Sequence, residues 1–274
     1  MNDPGDDDDV LARINKEDIT RRDFHFLRPG AWVSDVTVNT VAAIVKAWAA
    51  ARGGPIIYMP LSFFYTTLMG DDGNTYTYAK VRNWTQRAKV DVFACDYIII
   101  PCNMDRSHWA VLYLDMRGKV AWSLDSRREK HHTALAAVLR WLRDEAKDKK
   151  GDEAYSTAGW ELRGPPKDLP RQTNGNDCGV FASMFIFYLA QGVIPTTRDF
   201  AQKNIKALRL AIAAMILRMN VEGGGNETSK QAGGAGSANP NGGGAGSAGG
   251  GGGGGNGGED GGGGGGSAGG GKME

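Results

Sequence analysis

The sequence predicts one α+β domain, in which helices flank a central sheet that contains antiparallel strands. Three short segments with the apolar pattern of strands follow one another between residues 97 and 124. Longer segments with apolar residues at helical spacing lie before and after them. This mix of helices and antiparallel strands is typical of α+β proteins.

Four strands are predicted. Residues 97–101 are apolar at successive positions, which predicts a strand that is buried on both faces. Residues 109–114 and 119–124 predict two further strands, joined as a hairpin. Residues 56–59 predict a fourth, short strand.

Six helices are predicted from the apolar spacing. Thr20 and Ser34 stand where N-cap residues are expected, and Gly53-Gly54-Pro55 stops the helix that follows Ser34. The segment after Cys178 is apolar on nearly all sides, which predicts a central buried helix. The predicted helices cover residues 20–27, 35–52, 61–68, 129–146, 179–190 and 200–219.

Composition divides the chain into three parts. Of its 41 glycines, 28 lie after Glu222, in a segment of almost only Gly, Ala, Ser and Asn. Such a segment has nothing to bury, so residues 223–274 are predicted to be a disordered tail. Residues 1–9 contain five Asp and are predicted to be a disordered acidic arm. Residues 10–222 remain as one domain with a sizeable core.

The charge of the domain bears on its partners. The chain has a net charge of +1, the arm has five Asp, and the tail has two Lys against four acids, which leaves about +8 for the domain. A basic domain prefers acidic partners, but no Lys/Arg cluster has interleaved aromatic residues, so nucleic acid is not expected as a partner. No apolar stretch approaches the roughly 18 residues of a membrane span. A membrane partner is therefore not expected. The protein is expected to be a monomer.

The three cysteines are Cys95, Cys102 and Cys178, and no C-x-x-C spacing occurs among them. Neither a disulfide framework nor a metal site is expected from this pattern, and no cofactor is expected. Cys95 and Cys102 flank a buried strand and are expected to be small buried apolar residues. Because the N-terminus is acidic and unlike a secretory signal, the sequence predicts a reducing compartment, cytosol or nucleus.

The predicted hairpin places a histidine beside an acid. Asp115 and Gly118 suit the first and fourth positions of a type I turn. If these two residues face each other, His108 lies opposite Asp125, with Cα atoms about 5 Å apart on one face of the sheet. The acid could then orient the imidazole and stabilise its protonated form. The other three histidines have no acid opposite them in a predicted sheet: His25, His131 and His132.

Cys178 follows the turn-forming run of residues 173–177 and begins the buried helix. A helix N-terminus favours a thiolate, and a neighbouring imidazolium would favour it further. Gln172 lies six residues upstream across the turn, where its side-chain amide could donate to a developing oxyanion together with the Cys178 backbone N–H. Asp177 would oppose ionisation of the thiol unless its side chain caps the helix or points away.

Several blocks of residues together resemble the Ulp/SENP family of SUMO-specific cysteine proteases. The blocks are D-I-T-R-R-D-F-H-F-L-R-P-G-A-W-V-S-D-V-T-V-N, F-F-Y-T-T-L, V-R-N-W-T, D-Y-I-I-I-P, S-H-W-A-V-L-Y-L-D, L-D-S and L-P-R-Q-T-N-G-N-D-C-G-V-F. Their order and spacing make the match specific, and it covers nearly all of residues 17–219. The resemblance implies a papain-like cysteine protease fold, with the nucleophile at the N-terminus of a buried helix. Val33-Ser34 replaces the Leu-Asn usual in the family before Asp35.

The resemblance also implies roles for individual residues. Cys178 would be the nucleophile, His108 the general base and acid, Asp125 its orienting acid and Gln172 the oxyanion donor. The implied substrate-binding residues are Trp32 and Trp109, which would wall a tunnel that admits only the C-terminal Gly-Gly of a modifier, and Asp35, which would pair with an arginine of the modifier.

The expected function is deconjugation of a SUMO-like modifier from its lysine-linked conjugates, with precursor maturation at the same site. Four alternatives remain open: a protease for another modifier such as NEDD8, a protease for viral precursors, a His-acid-Cys acetyltransferase, and a non-catalytic modifier-binding domain. Trp109 after His108 and the intact N-terminal block argue against the acetyltransferase. The presence of all four chemical residues argues against the binder.

Overall fold

A computed structural model describes residues 5–70 and 73–224, with side chains up to residue 219. The predicted tail lies outside the described residues except for its first two, and so do residues 1–4 of the predicted arm. Within the remainder of the arm, the backbone carbonyls of Asp7 and Asp9 accept hydrogen bonds from the N–H groups of Arg22 and Arg21. The three-part division of the chain stays a prediction.

A five-stranded mixed sheet forms the centre of the domain, with the strand order β3-β4-β5-β6-β7. The pairs β4–β5 and β5–β6 are antiparallel, whereas β3–β4 and β6–β7 are parallel. A separate hairpin, β1–β2, precedes it. The strands are β1 (Val10–Ile14), β2 (Glu17–Thr20), β3 (Ile57–Tyr58), β4 (Tyr97–Met104), β5 (His108–Asp115), β6 (Val120–Leu124) and β7 (Glu161–Arg163).

Helices cover both faces of the sheet, which confirms the predicted α+β class. They are α1 (Arg21–His25), α2 (Asp35–Ala51), α3 (Phe64–Met69), α4 (Tyr78–Val81), α5 (Trp84–Arg87), α6 (His132–Lys150), α7 (Cys178–Leu189) and α8 (Ile205–Gly224). One apolar core joins α2, α7 and α8 to one face, and a second joins α3 and α6 to the other. Strand β4 serves both cores: Ile99 belongs to the first, and Ile98 and Ile100 belong to the second. The strand is buried on both faces, as its continuous apolar sequence predicts.

Local signals set the limits of several helices. The Ser34 hydroxyl accepts a hydrogen bond from the Thr37 N–H at 3.2 Å, as expected of an N-cap for α2. Helix α6 begins three residues later than predicted and continues to Lys150, because Gly151 terminates it in the left-handed conformation, with φ of 65°. Helix α8 begins at Ile205, after a short 3₁₀ turn, rather than at residue 200.

Three features were absent from the sequence prediction. The β1–β2 hairpin turns through Asn15 and Lys16, both at positive φ, and Asn-Lys is a weaker hairpin signal than Asn-Gly. Strand β7 has three residues and exists only by pairing with β6. Helices α4 and α5 have four residues each, too short for a period to be recognised.

A search of the described residues finds no helix that combines the length and the apolar character needed to cross a membrane.

Candidate active site

The β5–β6 hairpin has a different register from the predicted one. Val111 pairs with Leu124 and Asp115 with Val120, so the predicted pairing of Asp115 with Gly118 is wrong by two residues. The Asp115 carboxylate accepts hydrogen bonds from the N–H groups of Arg117 (3.1 Å) and Gly118 (2.9 Å), which stabilises a longer loop than a type I turn. Because side chains alternate with a period of two, this slip moves Asp125 along the sheet without moving it to the other face.

His108 and Asp125 are therefore in contact although they are not directly opposite each other. The His108 Nε2 lies 2.8 Å from the Asp125 Oδ2, and both side chains are buried. The Arg127 N–H donates to the other oxygen, Oδ1, at 2.5 Å. Burial alone would raise the pKa of Asp125, but its hydrogen bonds from His108 and His131 outweigh this and lower it to about 2.

His131 also contacts this carboxylate, although the sequence analysis found no acid for it. Its Nε2 lies 2.7 Å from the same Asp125 oxygen that His108 uses. The sequence assessment of His131 considered only acids across a strand pair and therefore did not indicate this contact. Asp125 instead lies just beyond the end of β6, and the chain turns back so that residue 131 reaches it before α6 begins.

Cys178 is the first residue of α7 and is buried. Burial alone would raise the pKa of its thiol, but its interactions with His108 and with the Trp109 backbone lower it. Burial would likewise lower the pKa of His108, but its hydrogen bond to Asp125 and its interaction with Cys178 raise it to about 9. These shifts favour a thiolate–imidazolium pair, which is the reactive form of a cysteine nucleophile.

This pairing predicts how Cys178 responds to pH. We expect iodoacetamide to alkylate Cys178 with a midpoint below the ordinary thiol pKa of about 8.5, because the imidazolium stabilises the thiolate. In His108→Ala the midpoint should rise towards about 8.5. Mass spectrometry of the Cys178 peptide across a pH series measures the midpoint, and His132→Ala, which changes the exposed neighbour of His131, is the control. Equal midpoints in wild type and His108→Ala would contradict the pairing.

The other two cysteines lack such an environment. Both are buried and unpaired. Burial raises the pKa of Cys95 to about 11 and raises that of Cys102 still further. They are the small buried apolar residues that the sequence predicts, and their thiols are not activated.

Asp177 points away from the thiol, the second of the two orientations considered from the sequence. Its carboxylate accepts hydrogen bonds from Arg209 (2.6 Å), Asn174 (2.6 Å) and Gln202 (2.7 Å). Burial would raise the pKa of Asp177, but these donors lower it. The negative charge next to Cys178 is thus neutralised by a buried cation on α8.

Sequence reasoning did not identify Arg209. Its guanidinium is 2% exposed and donates to the backbone carbonyls of Phe26 (3.3 Å), Arg28 (3.0 Å) and Ala31 (2.8 Å) as well as to Asp177. It joins the segment before Trp32 to the segment before Cys178. A single Arg on an amphipathic helix gives no sequence signal that distinguishes it from a surface residue.

Gln172 is held beside the Asp125 segment. The Ser126 hydroxyl donates to its side-chain oxygen at 2.5 Å, and the Gln172 backbone N–H donates to the Ser126 carbonyl at 3.1 Å. The side-chain nitrogen donates one hydrogen to the Asn174 carbonyl at 2.6 Å. An amide nitrogen has two hydrogens, so one remains for a ligand.

The two tryptophans lie on neighbouring segments. The Trp109 indole is buried and donates to the backbone carbonyl of Val33, the residue after Trp32, at 3.0 Å. Helix α7 comes so close that a Cβ at Gly179 would lie 2.5 Å from the Val33 Cβ and 3.1 Å from the Trp109 ring. The Trp32 side chain is 50% exposed, as a substrate-contacting residue would be. Asp35 is also exposed, at the start of α2.

Comparison with known proteins relates this arrangement to one family. A family model described as "Ulp1 protease family, C-terminal catalytic domain" matches residues 55–223. The chain is 27% identical over 187 residues to Sentrin-specific protease 2 of Mus musculus, covering 68% of this chain and 30% of that protein. It is 30% identical over 220 residues to Putative ubiquitin-like-specific protease 1B of Arabidopsis thaliana, covering 78% and 62%. The chain thus spans less than a third of the sentrin-specific protease.

The fold is similar to those of solved proteases. The C-terminal Ulp1 protease domain, solved in complex with Smt3, the yeast ortholog of SUMO, matches with a TM-score of 0.64 and 27% identity, covering 78% of this chain and 90% of that one. The catalytic domain of the Ulp1-like SUMO protease of Chaetomium thermophilum matches with a TM-score of 0.66 and 24% identity, covering 78% and 84%, which supports the fold alone. The papain-like architecture implied by the sequence resemblance is confirmed.

Proposed function

This chain belongs to the Ulp1 protease family, and we propose that it is a SUMO-specific cysteine protease that cleaves after the C-terminal Gly-Gly of the modifier. The observation that carries the proposal is the 2.8 Å contact between the His108 imidazole and Asp125, together with the position of Cys178 at the N-terminus of a buried helix, where the charge of His108 lowers the pKa of the thiol. The substrates are lysine-linked conjugates, and the same chemistry serves precursor maturation.

The reaction begins with the Cys178 thiolate. It attacks the carbonyl carbon of the terminal glycine, and the His108 imidazolium then gives its proton to the departing lysine amine as the C–N bond breaks. This leaves a thioester on Cys178. A water molecule gives a proton to His108 and attacks the thioester carbonyl, which releases the modifier and restores the thiolate.

Asp125 and Gln172 support these steps. Asp125 holds the His108 Nε2–H, so the other ring nitrogen, Nδ1, is the one available for proton transfer with Cys178. Nδ1 is buried, and within the described residues no hydrogen bond of ordinary geometry occupies it, so it remains available to exchange a proton with the thiol. The remaining Gln172 amide hydrogen and the Cys178 backbone N–H are the oxyanion donors, since the first N–H groups of a helix lack intrahelical partners.

Three residues are proposed to determine specificity: the exposed Trp32 and Asp35, and the buried Trp109. We infer that Trp32 and Trp109 wall a passage in which only residues without side chains fit, and that Asp35 binds an arginine of the modifier. The complex of the Ulp1 domain with Smt3 supports a SUMO-like partner. Because the chemistry needs a free thiol, we infer a reducing compartment, the cytosol or the nucleus. We further propose that the protein acts as a monomer and binds neither nucleic acid nor a membrane.

A SUMO probe with a C-terminal electrophile tests the proposal. We expect the probe to label wild type and to leave Cys178→Ser unlabelled, because a serine hydroxyl is not ionised at neutral pH. A matched SUMO probe that ends in Ala-Ala should fail to label wild type, because methyl groups do not pass between Trp32 and Trp109. Intact mass measures both reactions.

Other outcomes of this experiment separate the alternatives. Labelling by a NEDD8 probe and not by the SUMO probe would overturn the substrate assignment and keep the chemistry. Labelling by neither probe would contradict the assignment of protease activity and would favour an acetyltransferase or a binding domain. Equal labelling by the Gly-Gly and Ala-Ala probes would contradict the proposed passage between Trp32 and Trp109.

A further inference from the structure

Two imidazoles share one oxygen of Asp125. His108 Nε2 lies 2.8 Å and His131 Nε2 lies 2.7 Å from Oδ2. An ionised carboxylate only accepts, so each ring donates its Nε2–H. With the Arg127 N–H on Oδ1, three donors hold a carboxylate whose side chain is fully buried. The proposed reaction uses the contact of Asp125 with His108, so the additional contact with His131 has no role in that reaction as described.

The position of His131 is determined by the elements on either side. Its backbone N–H donates to the Ser123 hydroxyl on β6 at 3.3 Å, and its carbonyl accepts from the Leu135 N–H in α6 at 3.0 Å. The residue is thus anchored to the sheet and to the helix. Its ring reaches Asp125 from a rigid base.

His131 also lies between Asp125 and solvent. A cavity of about 420 Å³ is lined by His131 and by the charged side chains of Asp105, Arg106, Glu129 and Lys130. The His131 side chain is 14% exposed, whereas that of Asp125 is fully buried. The imidazole therefore covers the carboxylate on the cavity side.

We propose that His131 is a positioning residue for the proposed protease: its Nε2–H holds the Asp125 oxygen that orients His108, and its ring keeps the water of the adjacent cavity away from that oxygen. The inference rests on the proposed function, because it assigns to Asp125 the orientation of the base. His131 acts through Asp125, which its ring contacts at 2.7 Å.

The first test separates the donor from the ring. In His131→Phe the ring remains without a donor, and kcat on a SUMO-aminocoumarin amide should fall about 10-fold, the typical effect of one hydrogen bond to a charged group. KM should stay unchanged, since the residue does not bind the modifier. His131→Gln keeps an N–H donor and should recover kcat to within about 3-fold of wild type. His132→Phe, a change at the exposed neighbour, should have no effect.

A double-mutant cycle tests whether the effect passes through Asp125. In an Asp125→Ala background, measured under single-turnover conditions, His131→Phe should cause no further loss. The same 10-fold loss of kcat in both backgrounds, or a rise in KM with kcat unchanged, would overturn the proposal and indicate a general structural role. If the SUMO probe labels wild type while His131→Phe retains full kcat, this inference fails and the proposed function stands.

Discussion

Asp125→Asn is expected to lower kcat by about 10⁴-fold, the loss found when the acid of a catalytic triad becomes an amide. The variant keeps the size of the side chain but removes the charge that stabilises the imidazolium. The amide also presents either one oxygen or two hydrogens to the two imidazoles. The pKa of His108, now raised to about 9, should fall, and the proportion of thiolate–imidazolium pairs with it.

Turnover of the SUMO-aminocoumarin amide measures this effect, with KM expected to stay within about 2-fold, because Asp125 is buried and does not touch the modifier. Glu129→Gln is the matched control, since it removes a nearby acid that is exposed. A loss of less than about 10-fold would remove Asp125 from the catalytic machinery, since general acid–base catalysis contributes at least about 100-fold.

The second large effect concerns stability. Arg209→Met should lower the free energy of unfolding by about 3–5 kcal/mol, because it leaves the Asp177 carboxylate buried without its cation. The side chains of Arg209 and Asp177 are 2% and 6% exposed, so water cannot replace the guanidinium without rearrangement. Urea unfolding followed by tryptophan fluorescence measures the change.

A double variant provides the control for this pair. Asp177→Asn in the Arg209→Met background should recover part of the lost stability, because no unpaired charge then remains buried. Recovery should be incomplete, since the carbonyls of Phe26, Arg28 and Ala31 still lack their donor. Additive losses in the double variant would contradict a coupled ion pair.

The sequence alone determined the features that depend on near neighbours along the chain. The Ser34 cap, the doubly buried β4 strand and the position of Cys178 at the start of α7 were all predicted from local patterns. Capping and side-chain alternation act within a few residues, so the local sequence pattern is sufficient to predict these features. The pairing of His108 with Asp125 survived an error in register because that error was an even number of residues.

Only the tertiary structure decided which distant groups meet. Arg209 reaches Asp177 across 32 residues and Phe26 across 183, and no local pattern indicates either contact. His131 lies only six residues after Asp125, yet its contact depends on how the chain turns between β6 and α6. Such contacts depend on loop paths and on the packing of whole elements, which a periodic pattern does not encode. The position of Cys178 at the start of a buried helix could therefore be predicted from the sequence, whereas the groups that orient and neutralise its surroundings required the fold.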